Sequence, residues 1–334
     1  MDDDTFTQII AFYCYRLSYL RFHTHFIRWA KVRLFARHKG SESTSDSPWT
    51  CPRLGTTRKR AFKIDVQMTT STTLGTVADR RLGTHIIRNL AISLLAAKHD
   101  LCVGYASKEP TDQLGIELFS GRTVHADTSE LHDGNYLSFY NRAGLRCNLS
   151  ANHSSFQTKE VAGLIYRHLR TSAVQASVVR QNPHKGRYHA NNDLFVHVKL
   201  TDVCGYNPVS RYYQRTIETI AYDQLYVCSD DASHPMVGGL ADAYPHARWV
   251  ECGLVETIQL ASTCRHVVLS HGSFSAVIGY LAFFSTVYFP DYDLDTMWHG
   301  DMFSIPGWVK VHCRPPSIEG APDEITRSVV DTTG

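Results

Sequence analysis

The chain is 334 residues long, 43% hydrophobic and 20% charged, with a formal net charge of +2. That length and apolar share can bury a sizeable core, which excludes a largely disordered chain, and the near-balanced charge gives no drive toward nucleic acid. Nine cysteines without framework spacing read as reduced thiols in a chain this large, which favours the cytoplasm.

Residues 1–60 read as a basic N-terminal extension and linker. Arg16, Arg21, Arg28, Lys31, Arg33, Arg37 and Lys39 occur without an acid and are interleaved with aromatic side chains, followed by a Ser/Thr-rich stretch from Gly40 to Ser47. The favoured reading is a poorly ordered arm. The other is a helix within residues 10–39 that lies peripherally on an anionic membrane surface. The arginines are too frequent for a span, and the acidic start Met1 to Asp4 lacks the basic region of a cleavable signal.

Residues 61–188 form a first lobe with weaker signals. Phe62 to Met68 alternates as a strand, and a polar loop from Thr69 to Asp79 leads to Leu82, Gly83 and a helix over His85 to His99. A strand follows over Leu101 to Ala106, then helices over Leu114 to Phe119 and Thr158 to Thr171. The run Tyr136 to Arg142 reads first as a packed loop and second as a sugar-stacking surface. Two N-x-S sequons begin at Asn148 and Asn152, and they bear on location only if the chain enters the secretory route, the Golgi alternative to a cytoplasmic protein.

Residues 189–320 carry the clearest pattern, with residues 321–334 as a tail. Short β-branched or aromatic runs occur at Leu194 to Leu200, Leu225 to Ser229, Arg248 to Cys252, His266 to Leu269 and Thr286 to Phe289. Helical spacing lies between them, over Val209 to Ala221, Pro235 to Tyr244, Glu256 to Cys264 and Ser273 to Phe284. Strands alternating with helices imply a parallel sheet wrapped on both faces, with a ligand at the strands' carboxyl ends.

Three polar clusters fall at those ends. The run H-V-K-L-T-D holds His197, Lys199 and Asp202, with His197 and Lys199 on one face of the strand and Val196 and Val198 on the other. Ser229, Asp230 and Asp231 end the second strand. Ser270, His271, Gly272, Ser273, Phe274 and Ser275 open the last helix, where backbone amides and the helix dipole favour phosphate. Singly, each has an ordinary reading: a serine cap, a satisfied core histidine, an aspartate cap ahead of Pro235. Their recurrence at equivalent strand ends favours a shared ligand.

Together with R-R-L-G-T at Arg80 to Thr84, these runs resemble the alpha-1,2-fucosyltransferase family and its relatives, over about Phe62 to Trp308. The family's strand motif is H-x-R-R-x-D; here Lys199 and Leu200 stand at the paired arginines, so one charge remains as a point cation and the bidentate fork is lost. Arg81 replaces a family glycine ahead of Gly83. The resemblance implies an α/β, GT-B-like architecture of two Rossmann-like lobes with a central cleft. The lobe at 61–188 would then take the acceptor and that at 189–320 the nucleotide sugar. It implies a glycosyltransferase that moves a sugar, best taken as L-fucose from GDP-fucose, with inversion, onto a glycan hydroxyl, with no metal and no other cofactor.

On this reading, Lys199 and the amides at Gly272 to Ser275 meet the charge of the departing diphosphate, with Arg80 or Arg81 reaching over. Ser229, Asp230, Asp231, His271 and Gly83 complete the donor site. Asp202 is the first candidate for the base that takes the acceptor proton and His197 the second. A metal-dependent alternative, a UDP-sugar transferase, rests on Asp291, Asp293 and Asp295 in the run D-Y-D-L-D, for which a solvated acidic turn is the ordinary reading. Two readings from other classes stay open: a nucleotide- or sugar-binding module without turnover, and a membrane-associated interaction protein that uses the basic arm.

Overall fold

Leu194–Val198 (β5) is buried at all five positions, the signature of a strand covered on both faces at the middle of a sheet. The computed structural model describes residues 64–65, 82–151, 154–201, 208–291, 299–312 and 326–330. The extension 1–60, and with it the segment 10–39, lies outside the described residues, as do Arg80, Arg81, Asp202, Asp293 and Asp295. Residues Ala61–Gly334 form one unit, and the protein is mixed α/β with a parallel-dominated sheet.

The elements ahead of β5 are the strands Ile64–Asp65 (β1), Val103–Gly104 (β2), Thr128–Glu130 (β3) and Asn148–Ser150 (β4). Helices Leu82–His99 (α1), Glu109–Gln113 (α2), Tyr136–Asn141 (α3), Lys159–Leu169 (α4) and Ser172–Gln181 (α5) accompany them. After β5 strands and helices alternate: Ser210–Glu218 (α6), Leu225–Ser229 (β6), Pro235–Ala243 (α7), Arg248–Trp249 (β7), Leu254–Ala261 (α8), His266–Val268 (β8), Ser273–Leu281 (α9) and Thr286–Pro290 (β9). Val309–His312 (β10) and Thr326–Val329 (β11) complete the chain.

The seven-stranded sheet runs β11-β10-β9-β8-β5-β6-β7. Its pairs are parallel except β10 with β11. From β5 the chain steps outward to β6 and β7, then returns to the other side of β5 for β8, β9 and β10. This is the doubly wound Rossmann order, in which the direction of winding reverses between β5 and β8, and it opens a crevice at their carboxyl ends.

Period-two alternation divides β5 between two cores. Leu194, Val196 and Val198 pack with Tyr212, Tyr213 and Ile217 of α6 and with Val237 and Leu240 of α7. Phe195 joins the opposite core, built from α1, α4, α8 and α9. Helix α1 belongs to that second core and is buried along most of its length. Two of its buried polar side chains bond to backbone carbonyls: Arg88 Nη2 donates to Ala151 O at 2.6 Å, and Asn89 Nδ2 to Ala106 O at 3.0 Å.

Several expectations need correction. Leu114 to Phe119 is not a helix. Leu114, Ile116 and Leu118 are buried while Glu117 and Phe119 are exposed, which is the period of extended chain, and Gly115 adopts φ +78°. The helix expected over Thr158 to Thr171 ends at Leu169, and a separate one follows over Ser172–Gln181. The strand expected over Leu101 to Ala106 is only Val103–Gly104, with Leu101 bridging to Thr123. The tail contributes β11 to the sheet, and β10 was also not anticipated; VKVH and TRSV are too short and mixed to show a clear period. Among the described residues, strand pairing ahead of β5 amounts to two short parallel pairs, β1 with β2 and β3 with β4.

Among the described residues no helix is long and apolar enough to cross a membrane. The sequon at Asn148 sits in β4, where its Oδ1 accepts from His125 N at 2.9 Å and its Nδ2 donates to His125 O at 2.7 Å.

Two helical glycines test the packing. A Cβ on Gly279 of α9 would lie 2.4 Å from the Trp308 ring, whereas one on Gly238 of α7 would meet nothing within 4 Å. Gly279→Ala is expected to cost about 1–3 kcal/mol through overpacking, and Gly238→Ala to gain roughly 0.5–1 kcal/mol by stiffening the helix. Urea denaturation of the two variants against the parent measures both.

Candidate functional site

The crevice between β5 and β8 collects most of the described residues that the sequence singled out. Lys199 and Leu200 follow β5, Ser229 to Asp231 close β6, and Ser270 to Gly272 follow β8 into α9. Gly272 is the pivot. Its φ of +86° is a region that favours glycine, and a Cβ there would lie 3.4 Å from Cδ of Lys199. The lysine stem therefore lies against the turn that starts α9.

Asp230 organises the end of β5. Its Oδ1 accepts from Leu200 N at 2.6 Å, and its Oδ2 accepts from Thr201 Oγ1 at 2.6 Å and Lys199 Nζ at 3.1 Å. Burial pushes the Asp230 carboxyl up, but the Thr201 hydroxyl, the Lys199 charge and the Leu200 amide outweigh it and hold the group below the usual carboxylate range. The side chain of Lys199 is 12% exposed and that of Asp230 29%, so the pair sits at the crevice rim, partly screened from water. Asp231 points elsewhere: its Oδ1 accepts from the amide and hydroxyl of Ser233, and Ser229 Oγ accepts from the Asp231 amide. The cap ahead of Pro235 is His234, whose Nδ1 accepts from Met236 N at 3.1 Å.

The start of α9 is held from below. Tyr212 Oη donates to Leu269 O at 2.7 Å and Tyr213 Oη to Ser270 Oγ at 3.0 Å, both from α6. His197 Nδ1 and Ser275 Oγ share a hydrogen bond of 2.6 Å, and the imidazole lies against the Phe274 ring with centroids 5.2 Å apart. His197 is 3% exposed. Burial drives its pKa down to about 4, with Asp230 raising it and Lys199 lowering it. So buried a ring, bonded to the first turn of α9, holds that helix start in place.

His271 is wholly buried, and its pKa falls to about 3 through burial and the nearby His299, Lys199 and His197. Its ring stacks with that of His299, centroids 6.5 Å apart.

A second helix start meets the first. A Cβ on Gly83 of α1 would fall 2.3 Å from Phe274 N and 2.5 Å from Ser273 C. Two backbones thus touch where a side chain would stand. The Thr84 hydroxyl shares a hydrogen bond of 3.0 Å with Ser273 Oγ and accepts from Gln157 Nε2 at 3.2 Å. Neither helix has an acidic residue in its first turn, and the Gly272 cap supplies no side-chain acceptor. Amides and dipoles at these starts are therefore oriented for an anion.

The structure thus gathers His197, Lys199, Asp230, His271, Gly272, Ser273, Phe274, Ser275 and Gly83 at one place, with Ser229 and Asp231 at its edge. Gln157, His299 and Tyr213 join them without having been singled out, since nothing in their local sequence marks them. Asp291 stands apart: its carboxylate pairs with Lys310 Nζ at 3.1 Å and His312 Nδ1 at 2.5 Å. Among the described residues no group of three or more His, Cys, Asp or Glu is placed to hold a metal ion.

No family model matches the sequence, and no curated protein matches it. Among solved structures the chain is similar to fucosyltransferase NodZ from Bradyrhizobium, at 10% identity and a TM-score of 0.30, over 57% of this chain and 59% of that one. It is also similar to NodZ alpha-1,6-fucosyltransferase co-crystallised with GDP, at 12% identity and a TM-score of 0.30, over 56% and 59% of the two chains. The same protein soaked with GDP-fucose gives 12%, 0.29, 56% and 60%. The chain spans about three fifths of the length of these structures.

Because His197 and His271 are held neutral well below the ordinary histidine value of 6.5, the unfolded chain takes up protons that the folded one refuses as pH falls from 6.5 toward 4. Stability should therefore drop across that window, by up to about 1.4 kcal/mol per pH unit for each histidine. Urea midpoints between pH 7 and pH 4 should fall less steeply in His197→Gln than in the parent. Equal slopes would show that His197 titrates normally in the fold.

Proposed function

We propose that the protein is a glycosyltransferase that binds a nucleoside-diphosphate sugar at the reversal point of its sheet. One observation carries this reading: the starts of α1 and α9 meet backbone to backbone, at Gly83 and Phe274, beside the Lys199 stem and at the crevice between β5 and β8. Transfer of a sugar leaves negative charge on the departing diphosphate. Without a metal, oriented amides and a cation have to stabilise that charge, and a preorganised site does so without reorganising as the bond breaks. The hydrogen bonds that Tyr212 and Tyr213 donate, the one shared by His197 and Ser275, and the one Asp230 accepts from the Leu200 amide supply that rigidity.

In this reading Lys199 shares its charge between Asp230 and the donor diphosphate. Asp230 aims the lysine and closes the loop after β5. Gly272, Ser273, Phe274 and Ser275 present the amides, and His197 positions Ser275. The donor is taken as GDP-fucose and the acceptor as a glycan hydroxyl, with inversion at the anomeric carbon. Asp202, two residues beyond Leu200, is the candidate base. Arg81, next to the start of α1, is the candidate second cation. The division into an acceptor-side lobe at 61–188 and a donor lobe at 189–320 follows the same reading.

Thermal-shift titration with GDP, UDP and CDP, with and without EDTA, tests the reading. At ligand a hundredfold above Kd the expected stabilisation is about 2.7 kcal/mol. A rise in Tm with GDP that is insensitive to EDTA supports the proposal, and no rise with any nucleotide overturns it. Lys199→Ala should weaken the GDP shift about tenfold or more in affinity, the loss of a main phosphate cation. It should also lower the unliganded Tm, because Asp230 loses its counter-charge while keeping the Leu200 amide and the Thr201 hydroxyl, so the GDP shift is measured from the variant's own baseline. Asp202→Asn should leave the GDP shift intact and lower transfer from GDP-fucose, and full turnover in that variant would remove Asp202 from the mechanism.

A further inference from the structure

The start of α1 also borders a cleft of about 760 Å³, lined by Leu82, by α2, by the end of α5 and the residues just past it, and by the first turns of α8. That volume lies in the range of small-molecule sites. Its walls are fixed to one another. Gln259 Nε2 of α8 donates to Gln113 O at the end of α2 at 3.1 Å, and Asn182 Nδ2, just past α5, donates to Gln259 O at 2.9 Å and Ser262 Oγ at 3.2 Å.

The lining has a definite chemistry. Leu82, Pro110, Pro183, Leu254 and Val255 give apolar surface, while Gln113, Gln181 and Gln259 carry carboxamides, His184 an imidazole whose buried Nε2 has no hydrogen-bond partner among the described residues, and Glu256 a carboxylate. None of the lining residues is lysine or arginine. Glu256 sits in the first turn of α8 and offsets the positive end of that helix, so the cleft repels a phosphate or carboxylate ligand. Carboxamides both donate and accept, and with a carboxylate acceptor they match neighbouring hydroxyl groups. The apolar surface suits the C–H face of a sugar ring.

We propose that this cleft binds a neutral, hydroxyl-rich saccharide, the acceptor of the transfer, with Glu256 excluding acidic sugars. The acceptor role rests on the nucleotide-sugar reading above; the cleft and its selectivity do not. The start of α1 is the shared wall: Leu82 lines the cleft, and the next residue, Gly83, touches the start of α9 at the donor crevice. Adjacent residues of α1 thus border an anion-seeking site and an anion-rejecting one.

Saturation-transfer NMR on the full chain tests this with lactose, cellobiose and N,N′-diacetylchitobiose as neutral probes and a glucuronic-acid-terminated disaccharide as the acidic one, each with and without GDP. At least one neutral probe should receive saturation and the acidic probe none. Gly253→Trp places an indole at the cleft mouth, where an added Cβ meets nothing within 4 Å, and should abolish the transfer while leaving the GDP shift in Tm unchanged. Gln181→Trp, at an exposed position on the opposite rim, should do the same if the first variant folds poorly. Glu256→Gln should admit the acidic probe. Absence of transfer to every neutral probe overturns the proposal, as does undiminished transfer in both tryptophan variants. Saccharide binding that Gly253→Trp abolishes, in a chain whose Tm no nucleotide shifts, would uphold the cleft and overturn the nucleotide-sugar reading instead.

Discussion

The contact between Gly83 and the first turn of α9 is the constraint on which the site depends. A Cβ at that position would overlap backbone atoms of Ser273 and Phe274, and backbone atoms, unlike a flexible side chain, have nowhere to go. Glycine lets α1 approach until its start and that of α9 come together at one place. The Thr84 to Ser273 hydrogen bond and the Gln157 amide then fix the two helices in register. The same approach buries α1 between the Rossmann sheet's helices and the segment ahead of β5, so site geometry and core packing are set by one contact.

Electrostatics in the crevice follow from burial. His197 and His271 are kept neutral by desolvation, which leaves Lys199 as the cation the described residues bring to the α9 start. Asp230 counters it while tying down Leu200 and Thr201. A crevice with neutral rings, aligned amides and a partly screened lysine is poised for an anion in a way that a fully exposed lysine on a loop is not. Across the α1 start, Glu256 reverses the local preference. The two sites are thus distinguished by the sign of charge at a helix start, a property local enough to change within a few residues.

Much of the sheet was legible from pattern. The apolar run at 194–198 marks a strand because both faces are buried, leaving little room for polar residues, and that at 225–229 because alternate residues are buried; the helices between them show their 3.6-residue period. The segment 114–119 misled because five or six apolar-rich residues fit either period, and tertiary burial of Leu114, Ile116 and Leu118 decided for extended chain. Strands β10 and β11 were invisible because an edge pair of four residues each is specified by its neighbours in the sheet rather than by its own composition.

The sequence by itself determined the alternation that makes a parallel sheet, the strand ends where His197, Lys199, Asp230 and Gly272 fall, and the opposite faces taken by Val196 and His197. These are properties of period and order along the chain, and local residue types encode them. The tertiary structure alone decided that Asp230 is the lysine's partner while Asp231 only shapes a turn. It also decided that His197 holds a helix start, that Gln157 reaches Thr84 across 73 positions, and that Asp291 is committed to Lys310 and His312. Those outcomes depend on which distant segments meet, and the free energy that selects them comes from burying two cores at once, which no window of sequence contains.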